Sequence, residues 1–557
     1  MAFETIRVYS NFLLVLYFCH CAQAEVFTAQ TDIEHLLETQ QRVIDDVNEY
    51  IALEEKRLMT LKKRLNVYKE EHEKAMKDIP NFSGNPINAF TLIKRLTTDL
   101  ELIQKDMDSG SANIKNVTKH NDVKYPTPED VIGAAVALMR LKQVYKLDIK
   151  ELSEGILNGV AYSTPLTAGD CYDLGLALYF EGENENALPW FEEAQRKYKD
   201  SELNHFSESD IMSLIGATHY HLGDYNTALK TAINVLTMNP MHPNIANDIQ
   251  IYQKAIAGDD ENIEESEVSK KNEIENNSTE TRTSDADYIE YLEDEKNYEI
   301  LCRGEMDVAP VIAKSLYCRY VTENHPFLRL APLKVEFKYL QPDIVIFHDV
   351  IYEAEIQFLQ EAAKPRFSRA VIYDHETGEM VPSKYRISKA AWFDDEESEI
   401  VSRITQRIAD MTGLSMETAE NLQVVNYGIG GHYAQHYDFT TKDDADKDDF
   451  ENGNRIATVL FYMSEVTQGG ATVFPKIGLS LFPIKGAAAF WLNLHPSGEG
   501  DLATRHAACP VLRGSKWVSN KWLHIHSQEF LRPCNLEYQE EGILRKPVPK
   551  PVLKTSR

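Results

Sequence analysis

The sequence is short of positive charge, short of cysteine, and without a long hydrophobic run past its first residues. Beyond residue 24 no apolar stretch approaches the ~20 residues a membrane span needs. Val131–Met139 has the length a buried helix uses. With 58 Lys+Arg against 87 Asp+Glu the formal charge is −29, which argues against a nucleic-acid binder or a polybasic membrane clamp. What is present suffices for packed cores. Hydrophobic residues make up 43% of the 557 and aromatics 10%, which excludes a wholly disordered chain. At ~100–200 residues per domain, the length predicts three or four domains in a soluble protein.

Residues 1–24 read as a secretory signal, with Arg7 in a basic n-region, Phe12–Cys19 as the apolar h-region and Ala22-Gln23-Ala24 as the cleavage site. Sequons at Asn81, Asn116, Asn276 and Asn277 fit a lumenal, glycosylated chain. Cys19 and Cys21 leave with the signal, so five of seven cysteines remain. An odd count in an oxidising compartment implies pairs and one leftover. Cys171 falls in a helical pattern and is expected to be a buried thiol; the pairing of Cys302, Cys318, Cys509 and Cys534 stays open at this point. The chain ends Val552-Leu553-Lys554-Thr555-Ser556-Arg557, with no retention tetrapeptide. The expectation is secretion, or retention by a partner that carries the address.

Residues 30–75 carry a heptad. With Ile33 at a, the d positions are Leu37, Ile44, Ile51, Leu58 and Leu65, while a alternates between apolar and polar residues. An apolar d series sustained over more than ~3–4 heptads predicts a self-associating coiled coil. Helical patterning continues to about residue 160. Two helix-turn-helix units follow. One has Leu174-Gly175, Ala187, Phe191 and Ala194; the other has Ile215-Gly216, Ala228, Ala232 and Pro240. These offsets match tetratricopeptide repeats, with an insertion around Asp200–Phe206 and flanking helices as caps. Tyr172, Tyr220 and Tyr252, among other tyrosines, are candidates to line a groove for a polyproline II peptide. Residues 258–299 are acidic and polar and read as a solvated linker. Beyond it, Asp343–Phe347, Leu422–Tyr427, Ile456–Tyr462, Ala487–Leu494 and Trp517–Ile525 read as strands, with a helix at Ser398–Met411. The expected fold is multidomain: an all-α N-terminal half of coiled coil and tetratricopeptide-like repeats, then a jelly roll, or double-stranded β-helix.

The informative stretch runs from Asn426 to Asp438, Asn-Tyr-Gly-Ile-Gly-Gly-His-Tyr-Ala-Gln-His-Tyr-Asp. On a strand, residues two apart share a side. His436 and Asp438 can thus offer a nitrogen and an oxygen to one ion, and His506 is the candidate third ligand. Two histidines and a carboxylate form a facial triad that leaves open positions on non-haem Fe(II). His120-Asn121-Asp122 has the same spacing in a helical setting and is set aside. Lys516 follows His506 across the turn Arg513-Gly514-Ser515 and can reach the same cavity. A buried lysine needs an anionic partner, for which the distal carboxylate of 2-oxoglutarate would serve.

His436-x-Asp438, the segment Arg505–Leu512, Gly514–His524, Tyr317–Tyr320 and Gly469–Pro475 together closely resemble the α subunit of collagen prolyl 4-hydroxylase. The resemblance spans essentially the whole mature chain. It implies that His436, Asp438 and His506 bind iron and that Lys516 binds the C5 carboxylate of 2-oxoglutarate. Tyr427 and Thr472 would contact the same cosubstrate, and His524 would assist catalysis at its C1 end. It further implies disulfides Cys302–Cys318 and Cys509–Cys534. The implied reaction is 4-hydroxylation of proline in X-Pro-Gly sequences of collagen-like proteins in the endoplasmic reticulum lumen. Its requirements are Fe(II), 2-oxoglutarate, O2 and L-ascorbate. The implied assembly is an α2β2 tetramer with protein disulfide isomerase as β subunit, the heptad region making the α–α contact.

The expected division is 1–24 signal, 25–160 helical dimerisation domain, 161–257 peptide-substrate-binding domain, 258–299 linker, 300–535 catalytic domain and 536–557 tail. Two features depart from the family pattern: His526 two past His524, and Leu214 and Ala217 where the repeat is poorer in tyrosine. The alternatives are a hydroxylase of another residue or an inactive lumenal peptide-binding scaffold. Lys516 argues against the first, because such relatives anchor 2-oxoglutarate with arginine. The intact His-x-Asp, distal His and Lys set argues against the second.

Overall fold

The computed structural model describes residues 28–77, 98–108, 128–199, 206–258, 285–373, 380–382, 385–428, 430–440, 452–534 and 551–554. The signal segment, the four sequons and His120-Asn121-Asp122 lie outside the described residues. The chain divides into two compact units, residues 32–126 and residues 1–31 with 127–557.

In the first unit the heptads lie on one helix, α1 (Gln30–Lys77), beside α2 (Thr98–Asp108). Arg57 ties the two, donating to the Asp106 and Met107 carbonyls at 3.3 and 3.4 Å. The d residues Leu37, Ile44, Ile51, Leu58 and Leu65 are 46–68% exposed. Among the described residues of its unit this apolar stripe stays largely exposed.

The second unit opens with α3 (Pro128–Tyr145) and then the repeats, α4 (Ala168–Phe180) with α5 (Asn184–Lys197) and α6 (Glu208–His221) with α7 (Tyr225–Met238). α8 (Ile245–Ala257) caps them. Thr167 with Asp170 and Ser207 with Asp210 form capping boxes that start the first helix of each pair. A Cβ at Gly175 would meet the Phe191 ring at 2.7 Å, so glycine lets this pair close. Cys171 is fully buried, and burial pushes its thiol up to about 12. The expected insertion falls mostly on residues 200–205, outside the described set.

The linker expectation is corrected from residue 285 onward, where α9 (Asp285–Cys302) forms. Tyr298, Leu301 and Cys302, at helical spacing, are buried on one face. The acidic average of the segment masks that stripe.

Nine strands form the main sheet of the C-terminal region. Its members, in chain order, are β1 (Cys318–Val321), β2 (Leu333–Tyr339), β3 (Ile344–His348), β4 (Ser368–Arg369), β5 (Lys389–Phe393), β6 (Leu422–Tyr427), β8 (Arg455–Tyr462), β11 (Ala488–Leu492) and β13 (Lys516–His524). The spatial order is β1-β2-β3-β11-β8-β13-β6-β5-β4. A second sheet of four, ordered β7-β12-β9-β10, holds β7 (Tyr433–His436), β9 (Thr472–Phe474), β10 (Leu479–Leu481) and β12 (His506–Ala508). All pairings within these two sheets are antiparallel, as in a jelly roll.

Alternate residues of the main sheet face opposite cores. Val424, Val459 and Phe461 pack with Ile356, Leu359 and Ile404, on two helices, α10 (Glu353–Ala363) and α11 (Glu399–Thr412). Val425, Leu460 and Tyr462 pack with Phe474, Leu481 and Ala508 of the second sheet. Strands covered on both faces read as continuous apolar runs, which is why they were legible. α10 was missed.

The structure also corrects the disulfides. Cys302 is bonded to Cys509, with their Cα atoms 5.6 Å apart, while Cys318 and Cys534 are exposed free thiols. Cys302 ends α9 against the second sheet and Cys509 directly follows β12, whereas Cys318 starts an edge strand. Proximity in sequence did not decide the pairing. Part of the expected C-terminal tail is strand: Val552–Leu553 pairs with Met306–Asp307, and Lys554 Nζ lies 3.3 Å from Asp307.

Candidate metal centre

The glycine-rich turn between β6 and β7 reverses the chain in little space. Gly430 sits at φ +54°, and a Cβ on Gly431 would come within 2.9 Å of the Ile387 carbonyl. Only glycine meets both demands without displacement. β7 then pairs with β12 so that His436 stands opposite His506 and Tyr433 opposite Ala508.

Asp438 completes the group. Its Oδ1 is 3.6 Å from His436 Nε2 and its Oδ2 is 3.5 Å from His506 Nε2. Donor atoms of the three residues all lie within 4.8 Å of one another, the one such grouping among the described residues. Both imidazoles are oriented through Nδ1. That of His436 donates to the Ala434 carbonyl at 2.8 Å and that of His506 to the Thr504 carbonyl at 3.0 Å. The Nε2 lone pairs are thereby turned toward Asp438. Asp438 Oδ2 accepts from Thr458 Oγ1 at 2.7 Å, and Thr458 accepts from Asn493 Nδ2 at 2.9 Å.

Burial by itself would raise the Asp438 carboxyl. The His506 and His436 imidazoles outweigh it and hold the group well below the usual carboxylate range. Burial lowers His506 to about 4. An ionised carboxylate beside a neutral imidazole is the protonation state metal binding requires. These preoriented oxygen and nitrogen donors suit a divalent iron with further positions left open.

On β13, Lys516, Val518, Asn520 and Trp522 share one face and line a cavity together with the three donors. Lys516 is 1% exposed, and its Nζ lies 5.0 Å from the centroid of Tyr427, its register partner on β6. Burial lowers the ammonium to about 7. Among the described residues Lys516 forms no ion pair, so an anionic ligand is what would complete it. Tyr427 and Thr472 also line the cavity. Burial pushes the Tyr427 phenol up to about 12, and Thr472 Oγ1 accepts from the Tyr462 hydroxyl at 3.0 Å.

His524 has the parity of Lys516 on β13 but is not among the residues that line the cavity. Its Nδ1 donates to the Gly453 carbonyl at 2.5 Å and its Nε2 meets Glu420 at 3.1 Å. His526 lies outside the metal grouping. Tyr433, Trp491, Asn520 and Trp522, cavity-lining residues, were missed in the sequence. Parity with Lys516 along β13 would have found the last two. No local signal marks Thr458 or Asn493.

Of the tyrosines expected in a peptide groove, Tyr220 and Tyr252 stack at 5.1 Å, with Tyr225 5.5 Å from Tyr220. Tyr172 stands apart from them, stacked on Phe206 at 4.1 Å in the neighbouring core.

Comparison with known proteins gives three family matches. Residues 29–159 match the N-terminal region of the prolyl 4-hydroxylase alpha subunit, residues 168–258 the prolyl 4-hydroxylase peptide-substrate-binding domain, and residues 422–524 the 2OG-Fe(II) oxygenase superfamily. Prolyl 4-hydroxylase subunit alpha-1 of Rattus norvegicus is 42% identical over 521 residues, which cover 92% of this chain and 96% of the relative. The Gallus gallus protein of the same name is 42% identical over 524 residues, covering 93% and 100%. The Caenorhabditis elegans subunit alpha-1 is 39% identical over 529 residues, covering 94% and 93%.

Proposed function

The chain belongs to the prolyl 4-hydroxylase alpha-subunit family, and on that premise we propose that it is the catalytic subunit that hydroxylates C4 of proline in X-Pro-Gly sequences of collagen-like chains. The observation that carries this reading is one cavity with three convergent metal donors and a buried lysine that has no counter-charge among the described residues.

His436, Asp438 and His506 hold the ferrous ion. When bound, iron with 2-oxoglutarate and O2 supplies the oxidant that replaces a C4–H of proline by C4–OH, the cosubstrate leaving as succinate and CO2. Lys516 pairs with the C5 carboxylate of 2-oxoglutarate, and the Tyr427 and Thr472 hydroxyls border the same end. Thr458 holds the Asp438 carboxylate in place. Tyr433, stacked on His436 at 3.6 Å, does the same for that ring. Trp491 and Leu460 keep water from the reacting centre. His524 serves the C1 end of the cosubstrate, a role supported by its place on the Lys516 face of β13 and by Glu420, which fixes its ring. L-Ascorbate belongs to the set as the reductant that keeps the metal ferrous.

The repeats present a proline-rich substrate. Tyr220, backed by Tyr252, offers a flat face to polyproline II, while Tyr172 contributes from the other end of the repeats. The exposed stripe of α1 supports α–α association within an α2β2 tetramer with protein disulfide isomerase. The secretory pattern of residues 1–24 supports a site in the endoplasmic reticulum lumen.

The test is succinate release from 2-oxoglutarate on adding (Pro-Pro-Gly) peptides, with residue analysis of the product. Formation of 4-hydroxyproline supports the reading. Hydroxylation of lysine, or no coupled succinate, overturns it.

A further inference from the structure

The two strands that carry the histidines meet over a short ladder. β7 is terminal in the strand order of its sheet and pairs with β12 at Tyr433–Ala508 and His436–His506, with an irregularity between; on its other side it has an isolated bridge, Arg386–Tyr433, and its Ala434 N–H donates to the Tyr385 carbonyl at 2.8 Å. A bulged ladder of two registered pairs leaves the separation of the ligands weakly determined. Contacts from outside the sheet can add a further constraint.

α9 lies where that constraint is needed. Residues that precede the ligands turn to the opposite side of the strand. Gln435, before His436, donates its Nε2 to Glu295 Oε1 at 2.7 Å. Arg505, before His506, donates to Asp294 Oδ2 at 3.2 Å. Two consecutive acids on one helix thus grip the two residues adjoining the histidine ligands. The Asp294 side chain is only 5% exposed, so this pair is shielded from the solvent screening that makes surface ion pairs weak. The same helix reaches the far strand of the sheet, its Leu301 carbonyl accepting from Ser480 Oγ at 2.9 Å.

We propose that α9 is a brace for the metal centre, with Asp294 and Glu295 as positioning residues that set the spacing of the His436 and His506 strands. The inference rests on the iron assignment above. It makes metal affinity depend on a helix that supplies none of the three metal donors. Groups that orient metal ligands from outside the coordination sphere typically alter affinity ~10–100-fold when lost.

The experiment is titration of the metal-free full-length chain with Co(II), read by visible absorption, for wild type, the isosteric Asp294→Asn, Glu295→Ala and their double variant. The cycle Asp294→Asn, Arg505→Gln and both is run in parallel, and thermal melts of each metal-free protein are recorded. The expected result is a Co(II) Kd raised at least ~10-fold in the double variant. The Asp294 and Arg505 substitutions should be non-additive. Melts lowered with Kd unchanged would mean the helix only stabilises the fold, and the brace is overturned. The same holds if Asp294→Asn, the mildest change, folds and binds Co(II) as wild type does. Failure of wild type itself to bind Co(II) would instead sink the iron assignment and the brace with it.

Discussion

His436 and His506 face each other across one antiparallel ladder, their ring centroids 4.3 Å apart. Two ligands distant in the chain are therefore cross-strand neighbours, and Asp438 reaches both from two residues beyond the first. The centre's properties follow from that pairing and from the groups behind it.

His436→Ala, Asp438→Ala and His506→Ala should each reduce 2-oxoglutarate turnover to background while leaving the circular dichroism of the protein intact. Thr458→Val is the subtler test. It removes the hydroxyl between Asp438 and Asn493 and should weaken metal binding ~10-fold. It should also lower stability by ~1–3 kcal/mol, because buried polar groups lose a partner. Metal titration and thermal melting read the two effects separately.

Lys516→Ala should chiefly raise the 2-oxoglutarate concentration needed, with a smaller effect on the maximal rate. A pH dependence accompanies it. Burial lowers the folded ammonium from 10.5 to about 7, so between these values the unfolded chain binds the extra proton. Stability of the ligand-free protein should therefore rise with pH across that window. Affinity for 2-oxoglutarate should fall over the same range, since the dianion favours the protonated lysine. Calorimetry in buffers of different ionisation enthalpy should show proton uptake on binding above pH 7, and none in Lys516→Ala.

Tyr220→Ala should raise KM for (Pro-Pro-Gly) peptides about fivefold, for an aromatic contact of ~1 kcal/mol, with little change in kcat. Tyr172→Ala should have the smaller effect, since that ring is already occupied by Phe206. Steady-state kinetics with peptides of increasing length measure both.

Gly175→Ala places a methyl group 2.7 Å from the Phe191 ring. Overpacking of this kind costs ~1–3 kcal/mol. A lowered thermal midpoint is expected, with metal affinity unchanged because the repeats carry no ligand. Gly175→Ala combined with Phe191→Leu should recover part of the loss.

Replacing Leu37, Ile44 and Ile51 together with glutamate should dissociate any self-association made through α1 without altering its helicity. The stripe is largely solvent-facing among the described residues of its unit, so little packing is lost there. Sedimentation measures the change in mass.

The sequence alone determined a great deal, because much of the signal is local. Heptads, repeat offsets and doubly covered strands are periodic patterns, and each forms its element largely irrespective of the rest of the chain. His436-x-Asp438 is likewise local, set by the two-residue period of extended backbone. His506 and Lys516 were candidates from the strand and turn pattern, and the resemblance of their surroundings to a known family supplied their roles. Tertiary structure decided the rest. Cys302 joins Cys509 across a separation of 207 residues instead of pairing with Cys318. Asn493 holds Thr458 across 35 residues, and Asp294 holds Arg505 across 211. The acidic segment that holds Asp294 reads as solvated chain until α9 is laid against the second sheet. Which distant side chains meet is set by the order and register of strands, and spacing along the chain carries no information about a partner that another element brings.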